Sequence, residues 1–292
     1  MRRILFVHAH PDDETITTGG AIARYLAEGA EVLVVTCTLG EEGEVIGAQW
    51  AGLAVVLGDG TRGADQLGGF RIGEITAALA ALTPPEREPL APHFLGGAGR
   101  WRDSGMVGTA STSNPRAFTN AGDAPIEALA AVIADFRPQV LVGYDEVGSY
   151  GHPDHIQVNR ICRAAIAAAA PTWQVAKHYW TVAEESALHR GLDAARDRVP
   201  DGWTFPAEGE LPSHPDAEIT TVLDVSGVFE RKVAALAAHA TQVTVAASGA
   251  EYALSNNVIQ PIFAEEHYML VGGERGPVGA DGREHDLFAG LE

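Results

Sequence analysis

The 292 residues, 46% apolar and 20% charged, suffice for one large domain, or a main domain with a smaller attachment, and exclude disorder as the chain's main state. A net charge of −19, from 20 basic and 39 acidic residues, repels phosphate backbones and anionic lipid, so neither nucleic acid nor membrane is an expected partner. The two cysteines, Cys37 and Cys162, form no CxxC pair, which argues against a disulfide scaffold or a thiolate zinc site and fits a reducing cytoplasm.

In chain order, the basic start Met1-Arg2-Arg3 meets His8, His10, Asp12 and Asp13 too soon for the apolar stretch of a signal peptide. Ile4–Val7 reads as a strand, and the segment from Thr17 to Leu26 as a helix ended by Gly29. Glu31–Thr38 is the next strand; its continuous run Val32-Leu33-Val34-Val35 suits a parallel sheet covered on both faces. Residues 39–70, rich in glycine and mixed charge, read as a long excursion over the sheet edge. Helices are predicted at Ile72–Leu82 and Ile126–Phe136, a weak strand at His93–Leu95 and a buried strand at Val140–Tyr144. After a loop, Asp145–Gly151, come a helix at Val158–Ala170 and a strand at Val175–Val182. Ala164–Ala170 is the longest weakly polar run and is too short to span a bilayer.

This alternation predicts a Rossmann-like, doubly wound α/β catalytic domain with a mostly parallel sheet over residues 1–172. The remainder changes character. A Pro- and charge-rich stretch at 200–215, a strand at Ile219–Leu223, a helix at Val228–Ala240 and a last strand at His267–Val271 predict a smaller C-terminal α/β domain, 173–292, packed against the first. The Gly/Asp-rich segment 272–282 is expected to be mobile.

Two segments carry chemistry. His8-Ala9-His10-Pro11-Asp12-Asp13-Glu14 follows the first strand, and Tyr150-Gly151-His152-Pro153-Asp154-His155 follows the strand at Val140–Tyr144. Both lie beyond carboxyl ends of strands, where open α/β sheets bind ligands, and are placed to converge on one cleft. Imidazole and carboxylate are the ligands of a catalytic Zn2+ when thiolate is absent, and three protein ligands leave a position for water. The two segments offer more such side chains than one ion needs. His214-Pro215-Asp216 is an internal control: it has neither a buried strand before it nor a histidine after it, and reads as a turn.

The strings HAHPDDE and HPDH resemble the N-acetylglucosaminyl-phosphatidylinositol de-N-acetylase-like family of zinc amide hydrolases, with its H-P-D-D and H-x-x-H motifs. Longer strings resemble the branch of that family that removes acetate from N-acetylglucosaminyl-inositol: VVTCTLGEEGEVIG (34–47), ADQLGGFRIGE (64–74), LGGAGRWRDSGM (95–106), VAALAAHATQV (233–243), ALSNN (253–257) and EEHY (265–268). The departures lie between Gly52 and Gly63, in the middle of the second half and in a short tail.

The resemblance implies hydrolysis of a small sugar-inositol acetamide by an enzyme holding one Zn2+ per chain, with Fe2+ an alternative occupant of such an N/O site. It implies His10, Asp13 and His155 as ligands and Asp12 as the general base acting on water. His152 would stand opposite, donating to the developing oxyanion or to the leaving amine, with Asp154 orienting it through its other ring nitrogen. Tyr150 would help polarise the amide carbonyl. Arg71 and Asp103 resemble contacts to sugar hydroxyls, and Glu44 and His267 are further candidates of that kind. His8 reads as a hydrogen-bonded structural histidine and Glu14 as a helix-start carboxylate.

Three rival readings compete with this one. Amidases of mycothiol S-conjugates share the metal chemistry, but in that sister group a lysine follows DDE before the helix, and here the chain reads Glu14-Thr15-Ile16-Thr17-Thr18. A non-catalytic sugar- or metal-binding protein would not need the base Asp12. Nucleotide binding lacks its G-x-G-x-x-G after the first strand, and Gly96-Gly97-Ala98-Gly99 does not have the spacing.

Overall fold

A computed structural model describes residues 1–291. Its opening unit is β1 (Arg3–His8), α1 (Asp13–Ala27) and β2 (Glu31–Thr36), with β1 parallel to β2. Alternate side chains of a strand point to opposite faces, and β1 shows the consequence. Ile4 and Phe6 enter one hydrophobic cluster with Val32, Val34 and Leu79, whereas Leu5 and Val7 enter another with Val35, Leu141 and Ile161. These four β1 residues are fully buried. The continuous apolar run is thus a strand between two helical layers.

Along the chain follow α2 (Leu67–Leu82), β3 (His93–Phe94), α3 (Ala124–Phe136), β4 (Val140–Gly143), a single turn α4 (Gly148–Gly151), α5 (Pro153–Ala169), β5 (Lys177–Val182), α6 (Glu185–Ala195), β6 (Thr221–Asp224), α7 (Phe229–Ala238), β7 (Thr244–Val245), β8 (Glu251–Ala253), β9 (Gln260–Pro261) and β10 (Glu265–Gly272). The main sheet has seven strands in the order β3-β2-β1-β4-β5-β10-β6. The first five neighbours pair in parallel, and β10 is antiparallel to both β5 and β6. Strand order reverses between β1 and β4, so a crevice opens at their carboxyl ends. That crevice receives both motif segments. Among the described residues no helix is long and apolar enough to cross a membrane.

Several expectations need correcting. The boundary at residue 172 falls between β4 and β5, which are hydrogen-bonded neighbours. Most of the strand content beyond 172 therefore extends the first sheet, and only β7-β8-β9 form a small sheet of their own. Helix α6 was not foreseen. Helix α5 begins at Pro153, five residues before the expected Val158, because proline suits the first turn and the His152 side chain caps it by accepting the Asp154 backbone N–H.

The 272–282 segment, expected to be mobile, is tied down. Arg275 donates to the Gly282 carbonyl, and the Gly276 N–H donates to the Glu284 carboxylate. Leu287 and Phe288 enter the main core. Glu284 is fully buried and accepts from Lys177 Nζ (2.6 Å), Tyr179 Oη (2.9 Å) and Thr221 Oγ1 (3.0 Å), binding the tail to β5 and β6. Burial opposes its charge, but Lys177, the Gly276 N–H and Tyr179 outweigh it and hold its pKa below the usual glutamate value.

A depressed carboxylate pKa contributes stability above the unfolded value that is lost as pH falls through the folded one. Glu284→Gln, which strands the buried Lys177 charge, is expected to cost about 3–5 kcal/mol at neutral pH. That deficit should shrink below the ordinary glutamate pKa of 4.5. Urea unfolding of both proteins across pH 3–7 checks it; a deficit independent of pH would refute the ionic origin.

Candidate active site

The carboxyl end of β1 delivers His8 and His10, and the turn into α1 delivers Asp12 and Asp13. From β4 the chain passes Tyr144 and Asp145 before His152 and His155 enter on the first turn of α5. Asp13 Oδ2 lies 3.3 Å from His10 Nδ1 and 3.3 Å from His155 Nε2. Both ring nitrogens of His155 are buried without a hydrogen-bond partner. Ring nitrogens of His10, His152 and His155 also converge within 4.8 Å of one another, as do ligand atoms of His10, Asp103 and Asp154. The structure thus brings His10, Asp13 and His155 together and surrounds them with three further expected residues.

The donor set fits a divalent cation. Ligands bonded tetrahedrally at roughly 2.0–2.2 Å sit about 3.3–3.6 Å apart, a range that includes the 3.3 Å spacing of Asp13 from both imidazoles. Burial opposes charge on His10, yet Asp103, Asp13 and Asp154 around it raise its pKa well above the usual histidine value. So many buried carboxylates call for positive charge, which a metal ion supplies.

Asp12 sits at φ 128°, ψ −35°, a conformation costly for any residue with a side chain. Its N–H donates to Glu14 Oε2 (2.9 Å), while its carbonyl accepts from Thr15 and Ile16 in the first turn of α1. Glu14 is itself buried, 2.8 Å from His239 Nε2. It is therefore more than a helix-start carboxylate, because it fixes the backbone of the residue expected to be the base. Burial, with Asp13 alongside and Arg71 opposing, pushes the Asp12 carboxyl up to about 6.

Arg71 lies beside Asp12. It is 2% exposed, donates to the Gly40 and Pro11 carbonyls, and places Nη2 3.1 Å from Asp12 Oδ1. A Cβ on Gly40 would lie 1.9 Å from the guanidinium, and Gly40 has φ 64°, so glycine there is a condition of this packing. The two terminal nitrogens of Arg71 are engaged by the protein, whereas Nε is buried without a hydrogen-bond partner.

Asp154 differs from expectation. Its backbone N–H, not its carboxylate, meets His152 Nδ1 (3.2 Å). The carboxylate accepts from Ser104 N (2.9 Å) and approaches His10 Nε2 (3.3 Å). An accepting Nδ1 leaves the proton of a neutral His152 on Nε2, 4.0 Å from Asp103 Oδ1. Burial, and then the like charge of His10 and His155, pushes His152 down to about 3, so it is neutral.

Asp103 is 3% exposed and accepts from Gly105 N and Glu42 N, with Oδ1 3.6 Å from His10 Nε2. It belongs to the wall of the cluster. Glu44 is exposed, and only its backbone carbonyl is engaged, by Gln242. Within the same GEEGE string, Glu41 accepts from the Asp103 N–H instead. His267 lies on β10 beside Glu184 and Glu265, apart from this cluster. His8 is buried between Tyr144 Oη (3.3 Å) and Thr18 Oγ1 (3.0 Å), and burial lowers its pKa to about 4, as a structural histidine requires. Tyr150 is exposed at the rim, its ring edge-on to His155 with centroids 5.0 Å apart.

Three supports escaped the sequence reading. Tyr144 stacks on His155 with centroids 4.2 Å apart and accepts the Ala9 N–H. His239 reaches Glu14 from α7's end, and its place in the string VAALAAHATQV was the available signal. His214, the control histidine, lies with Nε2 2.9 Å from Asp145 Oδ2, while Asp145 Oδ1 accepts the Ser149 N–H beside Tyr150. Gly148 in that loop packs so closely on α5 that a Cβ would lie 2.8 Å from His155 Cβ.

Residues 5–166 match the family described as "PIG-L: GlcNAc-PI de-N-acetylase". The chain belongs to the GlcNAc-PI de-N-acetylase family. The family's relatives include the 1D-myo-inositol 2-acetamido-2-deoxy-alpha-D-glucopyranoside deacetylases of Rhodococcus opacus, 61% identical over 99% of this chain and 98% of that one, and of Gordonia bronchialis, 59% identical over 99% and 100%. Among solved structures, GalB, the 4-carboxy-2-hydroxymuconate hydratase of Pseudomonas putida, aligns over 96% of this chain and all of that one at TM-score 0.58 and 19% identity. The N,N'-diacetylchitobiose deacetylase of Pyrococcus horikoshii aligns over 82% and 69% at TM-score 0.52 and 15% identity. These two likenesses concern the fold alone, which a hydratase and a deacetylase share, so the chemistry has to be argued from the site.

Proposed function

We propose that the chain is a zinc-dependent de-N-acetylase that hydrolyses N-acetylglucosaminyl-inositol to glucosaminyl-inositol and acetate, a step of mycothiol biosynthesis. The observation that carries this reading is the Asp13 carboxylate, equidistant from His10 and His155, with Asp12 and His152 beside it, in a chain 61% identical to a relative named for that reaction. His10, Asp13 and His155 would hold the ion, and Fe2+ is its alternative. When bound, the ion supplies a Lewis acid that polarises the amide carbonyl and acidifies water.

The remaining work falls to the chain's own residues. Asp12, its carboxyl raised to about 6, takes a proton from the attacking water at near-neutral pH. Arg71 and the Glu14–His239 pair hold it in place. His152, neutral with its proton on Nε2, donates to the oxyanion as the carbonyl becomes tetrahedral. Tyr150 at the rim donates to the same oxygen. The amine leaves once it gains a proton within the site, for which His152 and the newly protonated Asp12 are both placed.

Arg71 and Asp103, buried beside Asp12 and His10 respectively, are the expected contacts to the sugar hydroxyls. The acidic surface and the buried free thiols of Cys37 and Cys162 support a cytoplasmic enzyme acting on a small molecule rather than on nucleic acid or membrane. At the start of α1, Thr17 Oγ1 donates to the Asp13 carbonyl and Thr18 Oγ1 to the Glu14 carbonyl. The donor of each hydroxyl is used within the helix and the stretch 14–18 carries no lysine, which supports the deacetylase over the conjugate amidase.

Mass-spectrometric turnover of N-acetylglucosaminyl-inositol beside a mycothiol S-conjugate, with and without added zinc, tests the proposal. Higher kcat/KM is expected for the acetylated sugar-inositol, with weak residual amidase activity. A conjugate turned over faster would reverse the assignment.

A further inference from the structure

On the β5–β10 side of the sheet, three ligand-type side chains meet that the reaction above does not use. Glu184 stands at the turn between β5 and α6, and Glu265 and His267 are two residues apart on β10, hence on one face of that strand. Suitable ligand atoms of all three lie within 4.8 Å of one another. The His267 side chain is 1% exposed and Glu184's is 5% exposed, whereas Glu265 is 41% exposed at the edge of a cleft of about 890 Å³.

Two features set this cluster apart from an ordinary ion-pair network. His267 Nε2 is buried with no hydrogen-bond partner. It lies 3.5 Å from Glu265 Oε1 and 3.7 Å from Glu184 Oε2. Those separations are long for hydrogen bonds but close to the roughly 3.3–3.6 Å edge expected between ligands held about 2.0–2.2 Å from a tetrahedral ion. Phe263 packs edge-on against the imidazole at 5.9 Å and steadies it. Arg283 engages the other Glu184 oxygen, Oε1, at 2.5 Å, leaving Oε2 directed at His267. The cation now near both carboxylates is Arg190 Nη2, 3.0 Å from Glu265 Oε1 and 3.6 Å from Glu184 Oε2. Its side chain is 61% exposed and its remaining side-chain hydrogen bond, from Nη1 to Ser186 Oγ (2.8 Å), is also exposed, so it can swing into solvent.

We propose that Glu184, Glu265 and His267 form a second divalent-metal site, distinct in all its residues from the His10–Asp13–His155 centre, which a Zn2+-like ion enters by displacing the Arg190 side chain. One imidazole and two carboxylates suit a borderline ion such as Zn2+, Mn2+ or Fe2+, and the fourth position faces the cleft and water.

Equilibrium dialysis of the full chain against Zn2+, followed by elemental analysis, tests the site. Wild type is expected to bind two equivalents, His267→Gln one, and Asp13→Ala one, with the Asp13→Ala/His267→Gln double variant binding none. Wild type saturating at one equivalent, or His267→Gln retaining both, would overturn the proposal. Arg190→Ala alters only an exposed side chain and removes the competing cation. It should tighten binding of the second ion by roughly tenfold; unchanged affinity would refute the site even if the His267 variant did not fold.

Discussion

Asp12→Asn is expected to retain its metal and lose about 10²–10⁴ in kcat, the usual contribution of a positioned general base. The substitution is nearly isosteric, and asparagine tolerates positive φ better than most residues, so the turn at φ 128° survives. Its amide oxygen can still face Arg71 Nη2, which lies 3.1 Å from Asp12 Oδ1. What disappears is proton affinity, present in the wild type as a carboxyl pushed up to about 6 by burial and by Asp13, against the pull of Arg71. Metal analysis beside steady-state kinetics separates the two roles: near-normal turnover would place the base elsewhere, and loss of metal would make Asp12 a ligand.

The larger loss is expected from Asp13→Ala, which should release one equivalent of metal per chain relative to wild type and abolish turnover. Asp13 Oδ2 is the atom common to both imidazoles, and it also accepts the His10 N–H at 2.8 Å, holding the turn in which Asp12 sits. Its removal leaves His10 and His155 without the carboxylate that joins them. His10 would turn to its other neighbours, Asp103 and Asp154. Retention of metal at wild-type affinity would show that a different set, such as His10 with Asp103 and Asp154, holds the ion.

Much of this was legible from local pattern. The continuous run Val32-Leu33-Val34-Val35 pointed to a strand covered on both faces, and in β1 the run from Ile4 to Val7 likewise sends successive side chains into two clusters on opposite faces. Histidines and aspartates placed directly after such strands lie at carboxyl ends, and the parallel pairing of β1 with β4 brings those ends to one edge. The start of α5 was less legible, because Pro153 reads as a turn until His152 is seen to cap the helix.

Sequence by itself determined the α/β class, the parallel core of the sheet and the residue types that meet at its carboxyl edge. These follow from periodicity and from chemistry carried within a few consecutive residues. Only the tertiary structure decided which partner each polar group takes. Arg71 turned to Asp12, the Asp154 carboxylate went to His10 instead of His152, and Glu284 drew an apparently loose tail onto Lys177. It also decided that β6 and β10 join the first sheet. The physical reason is common to all of these. Such pairings connect residues 59 to 144 positions apart, or strands far apart in the chain, and burial forces each charged group onto whatever complement the packing places within reach.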